Sequence, residues 1–277
     1  MIKLEFNLEI NEEEVSIVIK DFIKTYHKNS GCKRIIIGLS GGIDSSVVAI
    51  LCRQILGKNK TRCMFLPDKT TPKQDIEHKK LIEEKFDINC DEVNISNLVN
   101  DFEKKCIIKP DKYALANIKA RIRMTLLYEY ANMNNCLVCG TSNKSELLVG
   151  YFTKYGDGGV DIMPLGDLYK TQIFQLAKYL KIPDIIINKP PTAGLWQGQK
   201  DENELKMSYD VLDKILFGLE RKININTIVK EVGVKKQEVI RIKNMRISSQ
   251  HKRRSALIPK IGLRTPGFDW RSPIQLG

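Results

Sequence analysis

The sequence predicts an α/β fold of three layers, a mainly parallel sheet with helices on both faces, followed by a helical C-terminal extension. Three observations predict it. Short apolar runs of strand length alternate with longer stretches whose apolar residues recur at helical spacing. The runs at 34–39 and 136–140 are apolar almost throughout, as expected of strands covered on both faces. The chemically suggestive stretches follow strands or lie on loops, and ligands of parallel sheets sit beyond the carboxyl ends of their strands.

In chain order, the spacing predicts a helix over 12–26, where Val15, Ile19, Phe22, Ile23 and Tyr26 share a face and acids lead the segment. Arg34 to Leu39 reads as a central strand, Ser40-Gly41-Gly42 breaks it, and Ile43 to Leu56 resumes as a helix. Residues 62–66 form the next strand, 72–86 a helix with Pro72 in its first turn, and 89–95 a short strand. A long helix over about 112–133 carries the ridge Ile118, Ile122, Leu126, Tyr130, and 136–140 is a further strand. Residues 151–161 are glycine-rich and irregular, and 169–180 is an amphipathic helix. The Pro/Gly/polar stretch 188–203 is a loop long enough to be a lid or a disordered segment. Helices over 209–219, 225–232 and 236–246 close the pattern. The 277 residues read as a single domain, an α/β core over about 30–220 and a basic helical extension over 221–277, without internal repeats or low-complexity tracts.

Seven cysteines, an odd number scattered through apolar stretches, read as reduced thiols and predict a cytoplasmic protein. The acidic start has no long apolar block and no run approaches the ~18 residues of a membrane helix, so neither export nor membrane insertion is expected. The net charge is +12, and residues 221–277 hold 14 Lys/Arg against 3 Asp/Glu. Taken alone, that basic tail points to an anionic partner.

The strongest motif is Gly38-Leu39-Ser40-Gly41-Gly42-Ile43-Asp44-Ser45-Ser46, set between a buried strand and a helix. Glycines permit a tight turn with open N–H groups, and the helix start adds a positive dipole end, so the turn suits phosphate oxygens. Ser40, Ser45 and Ser46 offer hydroxyl donors, and Asp44 offers a carboxylate to a magnesium ion on those phosphates. The lysine of a Walker loop and the third glycine of a dinucleotide fingerprint are both missing. The string resembles the pyrophosphate loop of the ATP pyrophosphatase (adenine nucleotide alpha-hydrolase-like) superfamily, whose members split ATP between its α and β phosphates and adenylate a substrate.

A second stretch narrows the substrate. Gly140 to Asp161 (GTSNKSELLVGYFTKYGDGGVD) closely resembles the NAD synthetase signature, as do Lys119-Ala120-Arg121, Lys170 after Pro164-Leu165, Pro191-Thr192-Ala193 and His251-Lys252. The matches span 38 to about 254 in family order. The resemblance implies ATP-dependent amidation of deamido-NAD by ammonia through an adenylated carboxylate, giving NAD, AMP and diphosphate. It also implies that Gly38, Leu39, Ser40, Gly41, Gly42, Ile43, Asp44, Ser45, Thr141, Lys170 and Thr192 contact ATP. Asp44 and Glu146 would bind magnesium, and Arg121, Lys154, Asp161, His251 and Lys252 would contact deamido-NAD. Asp44, Lys170 and Glu146 would carry the chemistry. A homodimer with the dinucleotide at the subunit interface is implied too.

Local chemistry agrees, although alone Glu146 reads as an acid in a first helical turn, Lys154 and Lys170 as solvated charges, and His251 as a structural or exposed histidine. Tyr151, Phe152 or Trp196 can cover an aromatic ring of the ligand. With 38–254 occupied, no glutamine-hydrolysing domain is expected, so ammonia is free or delivered by a separate glutaminase. Two features point elsewhere. Cys136-Leu137-Val138-Cys139 is formally a CxxC, as in tRNA-thiolating relatives, but lies in a strand where positions three apart face opposite ways. Ile228 to Arg246 resembles a helix-turn-helix, yet a DNA-binding protein leaves the glycine loop unexplained. Neither nucleic acid nor membrane is therefore an expected partner.

Overall fold

The structure, a computed structural model, describes residues 6–266. The chain opens with α1 (Glu12–Ser30) and enters the sheet as β1 (Arg34–Gly38). Then follow α2 (Ile43–Leu56), β2 (Thr61–Phe65), α3 (Lys73–Phe86), β3 (Cys90–Glu92), α4 (Ser96–Lys105), α5 (Lys112–Asn134) and β4 (Cys136–Cys139). Beyond the sheet come α6 (Lys144–Val149), α7 (Lys170–Tyr179), α8 (Asp184–Ile187), α9 (Asp201–Leu205), α10 (Tyr209–Glu220), α11 (Ile225–Val232) and α12 (Lys236–Ser248), closed by a 3-10 turn at Ser249–Lys252. The first residues of the acidic start and the last of the basic tail lie outside the described residues.

The strands are all parallel, in the order β3-β2-β1-β4. Alternation along β1 serves both faces: Ile35 and Ile37 pack with α1, α2 and α7, whereas Ile36 packs with α4 and α5. The three-layer α/β/α architecture expected from the sequence is therefore present. The same alternation disposes of the CxxC, because Cys136 joins the α4/α5 side and Cys139 the α1/α2/α7 side. The two thiols cannot converge on one metal or disulfide.

Several boundaries differ from the sequence expectation, each for a local reason. The strand expected over 89–95 shrinks to three residues on the sheet edge, because Asn94 turns the chain by accepting from Ser96 N at 2.9 Å and starts α4. Helix α4 itself buries only Val99, too little apolar signal to read. Pro72 stands just before α3 as its N-cap, not in its first turn.

Helices α10, α11 and α12 pack with α6 and α9 around a second core that includes Leu212, Leu216, Ile228 and Ile242. The α11–α12 bend is made by Gly233 at φ +74°, a conformation that favours glycine. Part of the tail's positive charge has a structural use. Arg253 donates to the carbonyls of Leu147 at 2.7 Å and Leu148 at 3.0 Å in the last turn of α6, where helix carbonyls run short of intrahelical donors. Among the described residues no helix is long and apolar enough to cross a membrane.

Candidate active site

From β1 the chain moves outward through β2 to β3, then returns through α4 and α5 to place β4 on the other side of β1. The carboxyl ends of β1 and β4 therefore flank a switch point, where parallel sheets leave a crevice. A chamber of about 470 Å³ opens there. The glycine loop after β1 and the 140–146 stretch after β4 both line it.

The glycine loop is held from within. Ser45 Oγ donates to Gly42 O at 3.0 Å and accepts from Ser40 N at 3.1 Å, while Ser46 Oγ donates to Gly42 O at 2.8 Å. The fully buried Ser46 does not line the chamber. Of the three hydroxyls expected to face phosphate, that of Ser46 is turned to the turn's backbone, while Ser40 and Ser45 line the chamber.

A charged centre faces the loop. The Lys170 ammonium, 2% exposed, pairs with Asp44 and lies 3.9 Å from Glu146 Oε1. Burial alone would lower the Lys170 pKa, but the Asp44 and Glu146 carboxylates outweigh it and hold it above its usual value. Burial, and then the nearby Asp44 charge, push the Glu146 carboxyl well up. Asn143 joins the two acids, donating to Asp44 Oδ1 at 3.1 Å and accepting from Glu146 N at 3.0 Å. Glu146 is thus both an acid in the first turn of α6 and a chamber carboxylate.

Asp213 on α10 fixes the start of the helix that presents Lys170. It accepts from Thr171 N at 2.9 Å and from Ser145 Oγ, which itself accepts from Lys170 N at 2.9 Å. First-turn N–H groups that lack helical partners are satisfied this way. Burial raises the Asp213 carboxyl to about 6 in spite of these bonds, against ~3.9 for an unfolded aspartate. Between those values the folded chain keeps a proton that the unfolded chain has lost. The contribution of Asp213 to stability is therefore full below ~4 and declines as pH rises through about 6. Wild type should gain Tm relative to Asp213→Asn as pH is lowered from ~7 to ~5, and a difference that does not change with pH would refute the assignment.

The other residues singled out in the sequence divide between two places. Thr141, Thr192 and Lys252 line the chamber with the loop. Lys252 Nζ donates to Gly150 O at 2.7 Å and Phe152 O at 2.9 Å, which holds the tail's 3-10 turn against the chamber wall. Arg121, Lys154, Asp161 and His251 do not line the chamber. Arg121 Nε reaches Lys154 O at 3.3 Å, and Asp161 accepts from Tyr128 OH at 2.8 Å and Val138 N at 2.7 Å. Tyr128, with Thr125, Glu129 and Tyr155, lines a more open depression along α5. His251 is exposed.

Sequence reasoning missed three chamber groups. Arg123 lines the chamber and donates to Leu66 O at 3.0 Å; position on α5, not residue type, separates it from Arg121. Asp201 is buried and accepts from Tyr151 OH at 3.0 Å, Tyr209 OH at 3.2 Å and Ala193 N at 2.9 Å. Its sequence setting, an acidic run after a loop, looks like a solvated surface. Lys189 pairs with Asp75 across 114 positions, a separation with no local signal.

A family model described as NAD synthase matches residues 15–256. The chain belongs to the NAD synthase family. It is accordingly a ligase that forms a carbon–nitrogen bond. Among NAD synthase relatives, the NH(3)-dependent NAD(+) synthetase of Sulfolobus acidocaldarius is 43% identical over 281 residues, covering 99% of this chain and 97% of that protein. The solved NH3-dependent NAD synthetase of Campylobacter jejuni is 31% identical with a TM-score of 0.78, covering 91% of this chain and 100% of that one. The solved NMN synthetase of Francisella tularensis is 34% identical with a TM-score of 0.81, at the same coverages.

Proposed function

We propose that the chamber performs both halves of the ATP-dependent amidation of deamido-NAD by ammonia, with Asp44, Lys170 and Glu146 as its charged centre. The single observation that supports these roles is the convergence of those three side chains on the glycine loop at the β1/β4 switch point. A carboxylate resists ammonia because its charge repels the nucleophile and oxide is a poor leaving group. In the first half the nicotinate carboxylate attacks the α-phosphorus of ATP, the bond to the bridging oxygen breaks, and diphosphate leaves. In the second, ammonia attacks the acyl carbon, the C–O bond to AMP breaks, and the nitrogen sheds a proton.

The chain supplies position and charge for these steps. The N–H groups of the turn that its serines do not take up, with those at the start of α2, hold the departing diphosphate. Lys170, freed from Asp44 by the incoming phosphates, follows the charge that develops on them. Thr141 and Thr192 flank the nucleotide. Arg121, Lys154 and Asp161, gathered beside the depression on α5, receive the part of the dinucleotide that extends from the chamber, with His251 and Lys252 at its tail side. A second subunit of a cytoplasmic homodimer covers that outward face.

The residues fit magnesium. Asp44 and Glu146 share one lysine, so the carboxylates are in excess, and their oxygens suit a hard cation. Phosphate and water would complete the coordination. Bound there, magnesium would neutralise phosphate charge.

ATP–pyrophosphate exchange with and without deamido-NAD tests the reading, with nicotinic acid mononucleotide and RNA as competing substrates. Exchange should depend on deamido-NAD, and sedimentation of the same sample should give a dimer of the 31.7 kDa chain. Preference for the mononucleotide would move the chain toward the activity named for the Francisella protein. Exchange driven by RNA, or none with any substrate, would overturn the reading.

A further inference from the structure

Lys119 on α5 takes no part in the chemistry above, yet it is one of the most fully engaged cations of the fold. Its Nζ lies 2.6 Å from Asp68 Oδ2 and donates to Thr70 Oγ1 at 3.0 Å and to the Leu195 carbonyl at 2.8 Å. An ammonium has three N–H donors, so its capacity is filled. Lys119 is 5% exposed and Asp68 7%. Burial alone would raise the Asp68 carboxyl, but the bonds from Lys119 and Thr70 outweigh it and keep it below its usual value.

The three partners come from two loops that both contribute to the chamber wall. Asp68 and Thr70 belong to the loop after β2, whose Thr71 lines the chamber, and Leu195 belongs to the 188–200 segment that carries Thr192. The first half of that segment is pinned by the Lys189–Asp75 pair and by Asp201, which accepts from Ala193 N at 2.9 Å. Beyond those pins stand Gly194 at φ +63° and Gly198 at φ +75°, both with open space around them. Glycines in that setting leave the backbone free to move. Gln199 accepts from Leu195 N at 2.8 Å and donates to Tyr151 OH at 3.2 Å, and Lys119 adds the tie from this stretch to the loop after β2.

We propose that Lys119 is a positioning residue that holds the 188–200 segment against the loop after β2 and so sets Thr192 and the chamber wall for the nucleotide. The inference rests on the reading of the chamber as the ATP site for its kinetic consequence, but not for its structural one. Lysine suits the place because three separately directed donors are needed, which the planar fork of arginine does not provide.

Trp196 gives a direct probe. Its ring meets Tyr113 edge-on at 5.7 Å, and Lys112 Nζ lies 3.9 Å from its centroid. With Trp270, the chain's other tryptophan, replaced by Phe, emission reports the segment alone. In the ligand-free protein, Lys119→Met should red-shift Trp196 and raise its quenching by acrylamide. Asp68→Asn, which keeps the Leu195 bond, should lower Tm but leave quenching at the parent level. In steady state, Lys119→Met should raise KM for ATP about tenfold or more, as expected for a lost charge-assisted hydrogen bond, with kcat changed less than about threefold. Unchanged quenching in Lys119→Met, or equal quenching in both variants, overturns the tie whether or not the chamber takes ATP. A loosened segment with an unchanged KM for ATP overturns its role in placing the nucleotide.

Discussion

Replacing Asp44 with alanine should reduce deamido-NAD-dependent ATP–pyrophosphate exchange by ~10³-fold or more, on the scale of losing a preorganised electrostatic contact to the transition state, while the chain stays folded. Both halves of that expectation follow from the charged centre. Asp44 is the carboxylate nearest Lys170 and the one that the Asn143 side chain holds, so without it neither the lysine nor a bound cation is aimed at the loop. The fold survives because Glu146, whose carboxyl is pushed up first by burial and then by Asp44, lies 3.9 Å from Lys170. Removing Asp44 takes away that like charge and leaves Glu146 as the partner of the lysine. The stability loss should therefore fall short of the ~3–5 kcal/mol typical of an uncompensated buried charge.

Lys170→Met makes the complementary case, leaving Asp44 and Glu146 without a cation. Its exchange should fall as far, and its Tm should drop more than that of Asp44→Ala. A native circular-dichroism spectrum with full exchange in Asp44→Ala would sink the assignment, and a smaller Tm loss in Lys170→Met would sink the compensation argument.

What was legible in the sequence is what short-range pattern controls. Helix α2 begins and ends where the spacing places it, at Ile43 and Leu56, because the Gly-Gly turn and Gly57 bracket an apolar run. The glycine loop and Asp44 were readable from the strand-turn-helix string, whereas Glu146 was singled out by the family resemblance. Glu146 shows the limit of reading residues singly, since its two interpretations, first-turn acid and chamber carboxylate, are both true of one side chain. Asp201, Asp213 and Lys119 were not readable in the same way. Each owes its role to burial and to partners brought together by the fold: Tyr151 for Asp201, Ser145 for Asp213, Leu195 for Lys119. Local pattern does not distinguish Asp201 and Asp213 from solvated charges, and Lys119 stood out only as part of the Lys119-Ala120-Arg121 match, without a role. The basic tail lies between these cases. Its excess charge was plain, but Arg253 bonding to the Leu147 and Leu148 carbonyls is a packing outcome.

Gly41→Ala should abolish ATP binding and cost ~2–3 kcal/mol of stability, the sum of a left-handed backbone penalty of ~1–2 kcal/mol for a residue with a Cβ and the strain of forcing that Cβ into a packed contact. Gly41 stands at φ +79° with its back to the first turn of α3, where a Cβ would lie 3.1 Å from Asp75 Cα and nearer still to the Asp75 carbonyl oxygen. The obstruction is backbone, so no side-chain rotation relieves it. The loop must lift from α3, or α3 must shift and disturb the Asp75–Lys189 pair that pins the 188–200 segment. Either movement reaches the chamber, through the turn itself or through the segment that carries Thr192. Gly42 differs, although the two glycines are adjacent. Its φ is −90°, and the nearest atom to an added Cβ is the movable Ser40 Oγ at 3.3 Å, so Gly42→Ala should lower Tm much less. For a chain of this size ~1 kcal/mol corresponds to roughly 2–4 °C in Tm, a difference that thermal melts of the two variants resolve. Equal Tm losses would show that the first glycine is not required by its contact with α3. A Gly41→Ala enzyme that melts several degrees early yet binds ATP normally would separate the packing role of this glycine from the placement of the phosphates.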